Sequence, residues 1–329
     1  MVKEIKYGVI SDVHSDPRIV PLAIDILKNK GAEKLLVNGD IGNQQRTLDN
    51  SQQYIAFILD SIGKSGLEAF VQPGSHETLL AFGPVLDHFA GQYSNIIDAT
   101  KNRKIEQEGY DLVFLPGSDF LCSGEYLIGN NENLPTGSYI SNGKKDRGNL
   151  ALFRNWDEYN TTMQMGGESA FHYTNMQDLR KLVTAPEKTI VVCHVPRRFD
   201  NLETAVDMAE FGEVIKNFEL QGNRVQKGDV YPLPVAKQVV QAGYPVKIKK
   251  ANRGNKDLRD IYEELGITKT VSGHFHESGH RACDKLGNHV QEGQTTNELF
   301  WNSGHLDIGQ TGILTVKGND VSYQNIQLQ

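Results

Sequence analysis

Residues 7–14 of the chain read YGVISDVH, a short apolar run that leads into Asp12 and His14. An apolar run of this length, without alternation, is typical of a strand that is buried on both faces. Aspartate and histidine are residue types that bind metal ions. The stretch therefore predicts a central strand whose carboxyl end carries ligand-type side chains.

The same arrangement, an apolar run followed by ligand-type side chains, occurs four more times. The later runs are residues 35–37, leading to Asp40; 69–71, leading to Ser75 and His76; 189–192, leading to His194; and 268–271, leading to His274 and His276. Helical stretches at 19–30, 54–64 and 78–90 separate or follow the first runs, which indicates an α/β layer fold. Because ligands in such folds bind beyond the carboxyl ends of the strands, we expect the five clusters to meet in one site.

Two longer stretches interrupt this alternation. Residues 117–176 are rich in Gly, Asn, Ser and Tyr and are interpreted as an extended loop insertion. Residues 195–255 contain predicted amphipathic helices at 202–218 and 234–242, followed by a basic tract. Neither insertion has the composition of a linker or an internal repeat. We therefore expect a single domain, residues 1–329, in which both insertions shape the substrate site as loops or a cap.

Composition narrows the class of ligand. The 329 residues include 34 basic and 41 acidic side chains, for a net charge of −7. Binding to nucleic acid or an anionic membrane would need a local basic patch, so small-molecule partners are favoured. The three widely spaced cysteines predict neither a disulfide framework nor a thiolate zinc site, and the sequence has no apolar run of membrane-spanning length. We expect a reducing, cytoplasmic location; the oligomeric state stays open.

The ligand types narrow the class of metal. Imidazole and carboxylate groups together suit Zn, Mn, Fe or Ni, whereas an all-oxygen set would suit Mg or Ca. Two ligands in a DxH or HxH triplet can reach one ion only if the chain turns at once. Gly39, Gly74 and Gly273 adjoin the ligand positions and allow such turns.

The five blocks also occur in a known order. They are Asp12-Val13-His14, Gly39-Asp40, Gly74-Ser75-His76-Glu77, His194, and Gly273-His274-Phe275-His276. This order resembles the DxH, GD, GNHE or GNHD, H and GHxH blocks of the calcineurin-like metallophosphoesterases. The resemblance covers about the first 116 residues, the segment around His194 and the chain after Leu258. It implies a four-layer αββα sandwich of mixed sheets, to which the two insertions are added.

The resemblance further implies a centre of two divalent or trivalent metal ions, with Mn or Fe favoured over Zn or Ni. One ion would be bound by Asp12, His14, Asp40 and His276, and the other by Asp40, His194, His274 and the residue at Ser75. Asp40 would bridge the two ions. A hydroxide shared by the ions would attack the phosphorus atom of a phosphate ester. His76 would stabilise the developing charge or protonate the leaving group.

Two positions depart from the family pattern. Ser75 replaces the family asparagine, so a shorter hydroxyl stands where an amide oxygen would bind the second ion. Asn43 stands where the family often has an aspartate that orients the catalytic histidine, and a neutral amide would orient His76 without raising its basicity. Both departures leave reduced activity or an altered metal open.

Three further residues are candidates for binding the substrate. Arg197 and Arg198 follow His194 closely and could contact phosphate through their planar guanidinium groups, although a solvated loop explains them equally well. His305 lies in a loop after the GHxH block and could also reach phosphate.

These residues lead to two functional hypotheses. The first is hydrolysis of a phosphate monoester or diester, with a small-molecule or nucleotide-like substrate favoured. The alternative is a catalytically weakened scaffold with the phosphoesterase fold that binds a partner. Ser75 and Asn43 support the alternative, whereas a pure binding module has little need for six ligand-type residues at strand ends.

Overall fold

A computed structural model describes residues 3–42, 48–77, 79–117, 126–131, 134–141, 150–153, 176–220 and 222–329. Within these ranges the chain forms twenty strands and six α-helices. The helices are α1 (Ile19–Asn29), α2 (Leu48–Ser65), α3 (Leu79–Gln92), α4 (Leu179–Leu182), α5 (Leu233–Gln241) and α6 (Lys256–Leu265). Short 3-10 helices occupy Met176–Asp178, Pro186–Lys188, His276–Ser278 and Leu306–Ile308.

The strands occur both outside and within the two insertions. The first ten are β1 (Glu4–Ile10), β2 (Lys34–Asn38), β3 (Glu68–Gln72), β4 (Ile96–Asp98), β5 (Lys104–Gln107), β6 (Tyr110–Leu115), β7 (Tyr126–Asn131), β8 (Leu134–Ser141), β9 (Leu150–Phe153) and β10 (Thr189–Cys193). The others are β11 (Met208–Val214), β12 (Phe218–Leu220), β13 (Asn223–Val225), β14 (Val230–Pro232), β15 (Val246–Asn252), β16 (Lys269–Ser272), β17 (Ala282–Cys283), β18 (Leu299–Asn302), β19 (Gln310–Lys317) and β20 (Asp320–Gln327).

Two six-stranded mixed sheets form the centre of the fold. The first has the order β20-β19-β1-β2-β3-β4, in which β1 to β4 run parallel and β19 and β20 are added antiparallel. The second has the order β17-β18-β16-β10-β6-β5, in which β18, β16, β10 and β6 run parallel. The five motif blocks therefore follow parallel strands: three blocks follow the first sheet and two follow the second.

Alternate side chains of each central strand enter different cores, as strands buried on both faces require. In β10, Ile190 and Val192 pack between the two sheets, whereas Val191 and Cys193 pack against the helices outside the second sheet. Helices α1, α2 and α3 cover the outer face of the first sheet. Helices α4 and α6 cover the outer face of the second. This arrangement is an αββα sandwich, which confirms the expected fold class.

Helices α1 and α6 show how the sequence places this outer layer. Helix α1 buries Val20, Ala23, Ile24 and Leu27, the spacing of one face of a helix. Helix α6 begins after Asn255, whose side chain accepts the Leu258 N–H at 2.7 Å, and ends at Gly266 in the left-handed region. Among the described helices, none is both long and apolar enough to span a lipid bilayer.

Both insertions differ from the expectation. The described residues of the first, which is interpreted above as an extended loop, include β7, β8 and β9, which form a three-stranded antiparallel sheet. The second insertion differs in one predicted element. Residues 202–218 do not form the predicted amphipathic helix; instead β11 pairs antiparallel with β14 on one side and β15 on the other. Pairing with the distant β15 extends over seven residue pairs and outweighs the local periodicity of β11. The predicted helix at 234–242 is confirmed as α5, which packs on this small sheet through Ala236 and Val239. The single-domain organisation stays a prediction.

The basic tract of the second insertion lies along β15, an edge strand. Its Lys249 forms an ion pair with Glu213 at 2.7 Å, and Lys250 forms one with Glu210. Both acidic partners belong to β11, directly across the small sheet. The local positive charge is therefore matched by acidic side chains on the neighbouring strand.

Candidate metal centre

Three ligand-type residues adopt a left-handed backbone just after the strands that precede them. Asp12 follows β1 with φ 58°, Asp40 follows β2 with φ 51°, and His274 follows β16 with φ 69°. Non-glycine residues in this region cost of order 1–3 kcal/mol each and cluster at functional sites. The sharp turns bring side chains from both sheets to one edge of the sandwich, as the sequence predicted.

Glycine residues make room for these turns. A Cβ atom on Gly74 would stand 2.5 Å from Asp40 Oδ1 and 2.8 Å from His194 Cγ. A Cβ atom on Gly39 would stand 2.5 Å from Gly74 Cα, and Gly39 itself has φ 79°. The backbone therefore approaches the carboxylate and imidazole groups more closely than any residue with a side chain would allow.

The first group of ligand-type atoms surrounds Asp12 Oδ1. The Nε2 atom of His276 lies 3.2 Å from it, and His14 Nε2 lies 3.8 Å from it. His14 Nε2 is also 3.8 Å from Asp40 Oδ2. These four residues are the set that the resemblance assigns to one ion, and the structure brings them together.

The second group shares Asp40 with the first. His194 Nε2 lies 3.0 Å from Asp40 Oδ2 and 4.0 Å from Asp12 Oδ1. One ligand atom each from Asp40, His194 and His274 lie within 4.8 Å of one another. The two sets thus overlap at Asp40, which is the position expected of a bridging carboxylate.

A hydrogen bond to the main chain fixes the orientation of the His194 ring. Its Nδ1 atom lies 2.9 Å from the main-chain oxygen of Asn38. Because a carbonyl oxygen only accepts, Nδ1 carries the proton and Nε2 faces the carboxylates. The Asn38 side chain in turn accepts from Gln72 Nε2 at 2.7 Å, so a buried amide pair supports the imidazole.

Electrostatic coupling within the cluster is strong. Burial by itself raises the pKa of Asp12 and of Asp40, but His194 and the other histidines lower both pKa values well below the ordinary range. Against the opposing effect of burial, the two carboxylates raise the pKa of His194 to about 10. Burial and the nearby His194 lower the pKa of His274 to about 3, so His274 stays neutral with a free lone pair.

Ser75 and His76 surround the shared carboxylate. The main-chain N–H groups of Ser75 and His76 both donate to Asp40 Oδ1, the second at 2.8 Å. The Ser75 hydroxyl donates to Asp40 Oδ2 at 2.8 Å. The His76 side chain is exposed, and its ring centre is 4.5 Å from that of His14. Ser75 is therefore placed at the cluster through Asp40, and its role as a metal ligand stays a prediction.

The three candidate substrate residues have different surroundings. Arg197 departs from expectation, because its guanidinium is buried against Phe199 and Phe300 and bonded to Glu263 and to the Lys285 carbonyl. Its contacts belong to the outer core of the second sheet, so we assign it to packing there and not to phosphate binding.

Arg198 and His305 lie in the part of the chain that the structure describes, whereas Asn43 lies outside the described residues. Arg198 is exposed, and its substrate role stays a prediction. The ring of His305 stacks on that of His276, with centres 3.7 Å apart. His305 therefore lies beside the ligand cluster, and its substrate role stays a prediction.

Two acidic residues, Glu77 and Asp307, hold the ligand loops in place, although no such role was predicted for them from the sequence. Glu77 is buried and accepts main-chain N–H groups from Ile41 at 2.6 Å, Gly42 at 3.0 Å and Gly74 at 2.7 Å, so it ties two ligand loops together. Burial and the nearby Asp40 raise the pKa of Glu77 to about 7. The GSHE block contained this signal, because a glutamate after the histidine recurs in the family pattern.

Asp307 likewise accepts main-chain hydrogen bonds from a ligand loop, here the loop that carries His14. Its Oδ2 atom accepts the main-chain N–H groups of His14 at 2.9 Å and Ser15 at 2.8 Å. Burial opposes ionisation, but these hydrogen bonds and His305 lower the pKa of Asp307 to about 2. No spacing in the sequence indicates this contact, because the two partners are almost the whole chain apart.

The comparisons with known proteins add information on the fold. No protein-family model matches the chain, and no curated protein matches it. One solved structure is similar to 99% of this chain over 100% of its own length, with a TM-score of 0.50 and 14% identity. A Thermus thermophilus protein has a TM-score of 0.48 at 9% identity, covering 99% of this chain and 100% of that one. A dimetal phosphatase from Danio rerio has a TM-score of 0.48 at 11% identity, covering 99% of each chain.

The decisive observation is that the two facing sheets carry all five blocks, in the family order, at one edge. The chain has an αββα sandwich fold, which is the fold that the resemblance to the calcineurin-like metallophosphoesterases implies. In this fold the donor set fits metal ions, because two carboxylates and at least four imidazoles converge where the backbone is strained and tightly packed. The buried Nε2 atom of His194 faces Asp40 Oδ2 without a hydrogen bond of ordinary geometry in the described part of the chain, so this nitrogen can bind a cation once it has lost its proton.

Proposed function

We propose that this protein hydrolyses a phosphate ester with the help of two metal ions. The observation that carries the proposal is the overlap of two groups of ligand-type side chains at one buried carboxylate, Asp40. Bound cations would offset the cost of burying two carboxylates and several imidazoles so close together.

The residues divide into two binding sets. Asp12, His14 and His276 would hold one ion, His194 and His274 the other, and Asp40 both. When bound, two neighbouring cations lower the pKa of a shared water and neutralise phosphate oxygens during in-line attack. The mixture of imidazole and carboxylate suits Mn, Fe, Zn or Ni, and the family resemblance favours Mn or Fe among them.

The chain supplies two further elements of the reaction. Main-chain N–H groups of Ser75 and His76 hold Asp40 in place, so the shared carboxylate is oriented before any ion binds. The exposed ring of His76 stands beside His14, at the open side of the cluster. We assign His76 the role of stabilising the developing charge or donating a proton to the leaving alkoxide.

A small-molecule or nucleotide-like ester is our preferred substrate class. The net charge of −7 gives no general attraction for a polyanion. The basic tract on β15 is matched by Glu210 and Glu213, which argues against a nucleic-acid groove there. Monoester and diester are both compatible with the site.

A hydrolysis assay tests the proposal. Protein stripped with a chelator and reloaded with Mn²⁺ or Fe²⁺ should hydrolyse an aryl phosphate or its diester, and His76→Ala should lose rate by about 10²–10⁴-fold while binding the same number of ions. His88→Ala, which alters an exposed histidine on α3, is the matched control. Full metal loading without turnover of either ester would refute hydrolysis and favour the scaffold alternative.

A further inference from the structure

His305 lies beside the ligand cluster, although the family-like ligand set does not include it. Its ring centre is 3.7 Å from that of His276, with an angle of 21° between the planes, and 5.6 Å from that of His14. The rings of His14 and His276 are 5.1 Å apart. One ring nitrogen from each of the three histidines lies within 4.8 Å of the others. Three imidazoles therefore form a compact triangle at the first binding set.

The loop that carries His305 is held firmly in place. Its main-chain N–H donates to Gln310 Oε1 at 3.3 Å, and the next residue, Leu306, donates its N–H to the Ser11 carbonyl at 3.2 Å. Asp307 binds the main chain of His14, so the loop and the DxH turn are fixed to each other. The side chain of His305 is only 15% exposed. This imidazole is thus oriented toward the site before any ligand arrives.

The Nε2 atom of His305 lacks a good hydrogen-bond partner among the described residues. This buried atom makes no hydrogen bond of ordinary geometry within the described ranges and lies 3.5 Å from Asp307 Oδ2. A buried nitrogen without a partner is unfavourable unless something else binds the group.

We propose that His305 is an additional ligand of the ion held by Asp12, His14, Asp40 and His276. This inference rests on the proposed metal centre and extends it. A third imidazole would make this binding set prefer borderline ions such as Fe²⁺, Co²⁺, Ni²⁺ or Zn²⁺ over Mg²⁺ and Ca²⁺. His305 then belongs to the metal and not to a phosphate-binding loop.

Binding of Co²⁺ to the full chain tests the proposal without any assay of activity. The variants are His305→Ala, which removes the ring, and His305→Phe, which keeps a ring against His276 but has no ligand atom. His88→Ala is the control. Bound metal is counted by elemental analysis after equilibrium dialysis, and affinity is followed by the visible absorption of Co²⁺, which depends on the number and type of ligands.

We expect both His305 variants to bind one of the two ions about 10- to 100-fold more weakly, with an altered spectrum, while His88→Ala matches the unchanged protein. Far-ultraviolet circular dichroism checks that each variant is folded. If His305→Phe, or a folded His305→Ala where the phenylalanine variant fails to fold, binds both ions with unchanged affinity and spectrum, His305 only packs and the inference is wrong.

The same titration separates this inference from the proposed function. If the unchanged protein binds two ions and the variants lose one, yet no ester is hydrolysed, the ligand assignment stands and the hydrolysis proposal fails. If the unchanged protein binds no Co²⁺, both fail. If it hydrolyses esters and the His305 variants bind metal normally, only the ligand assignment fails.

Discussion

Replacing Gly74 by alanine should disrupt the metal centre through a single added methyl group. The new Cβ atom would stand 2.5 Å from Asp40 Oδ1, 2.7 Å from the Asp40 nitrogen and 2.8 Å from His194 Cγ. Ordinary van der Waals contact begins at about 3.4 Å, so these groups must separate by roughly 1 Å. Gly74 does not have a positive φ, so the effect is steric and not one of backbone conformation.

The expected size follows from that displacement. Forcing an extra carbon into a packed region costs about 1–3 kcal/mol of unfolding free energy. A misplacement of about 1 Å at a reacting centre lowers the rate by about 100-fold. Because the displaced carboxylate is the one shared by both binding sets, we expect both ions to bind more weakly in Gly74→Ala.

The measurements are urea unfolding, metal titration and hydrolysis of an aryl phosphate. Gly91→Ala is the matched control, since Gly91 lies in α3 and a Cβ atom there meets nothing within 4 Å. The control should be unchanged or up to about 1 kcal/mol more stable. If Gly74→Ala binds two ions with normal affinity and unfolds within about 0.5 kcal/mol of the unchanged protein, the close approach inferred at Asp40 is wrong.

Three further predictions concern the same site. Ser75→Asn should strengthen the binding of one ion, because a longer side chain with an amide oxygen replaces the hydroxyl that now donates to Asp40. Identical metal titration curves for the two proteins would show that Ser75 does not weaken the site. Glu77→Gln should lower the unfolding free energy by about 1–3 kcal/mol, because an NH₂ group would face main-chain N–H donors; an unchanged urea midpoint would contradict this. Removing metal with a chelator should lower the free energy of unfolding by about 2.7 kcal/mol relative to protein in metal at 100 times its dissociation constant. A melting temperature that does not depend on metal would count against a specific site.

Most of the site was predictable because the parallel strands end at the same edge of their sheets. Asp12, Asp40, His194 and His274 each follow a buried apolar run, and that local pattern is enough to place them together. The short-range requirement for a sharp turn after each strand was also visible, since glycines adjoin Asp40 and His274. These inferences need only local sequence and the geometry of a parallel sheet.

The failures concern residues whose surroundings come from far along the chain. The segment 202–218 has helical periodicity, but β11 pairs with β15, a strand that the local pattern does not reveal. Arg197 follows a motif histidine, yet it packs on Phe300 in the outer core. Long-range pairing and packing override local tendency when they bury more surface and more hydrogen bonds.

By itself the sequence determined an α/β layer fold, the order of the five blocks and the mixture of imidazole and carboxylate at the strand ends, since each depends on neighbours along the chain; the αββα arrangement came from the resemblance. Only the tertiary structure decided that His305 stacks on His276, that Asp307 holds the turn at His14 and that Arg197 faces away from the cluster. Those contacts join separate loops and strands, such as His14 and Asp307, which are 293 residues apart, and the packing of the two sheets sets their distances.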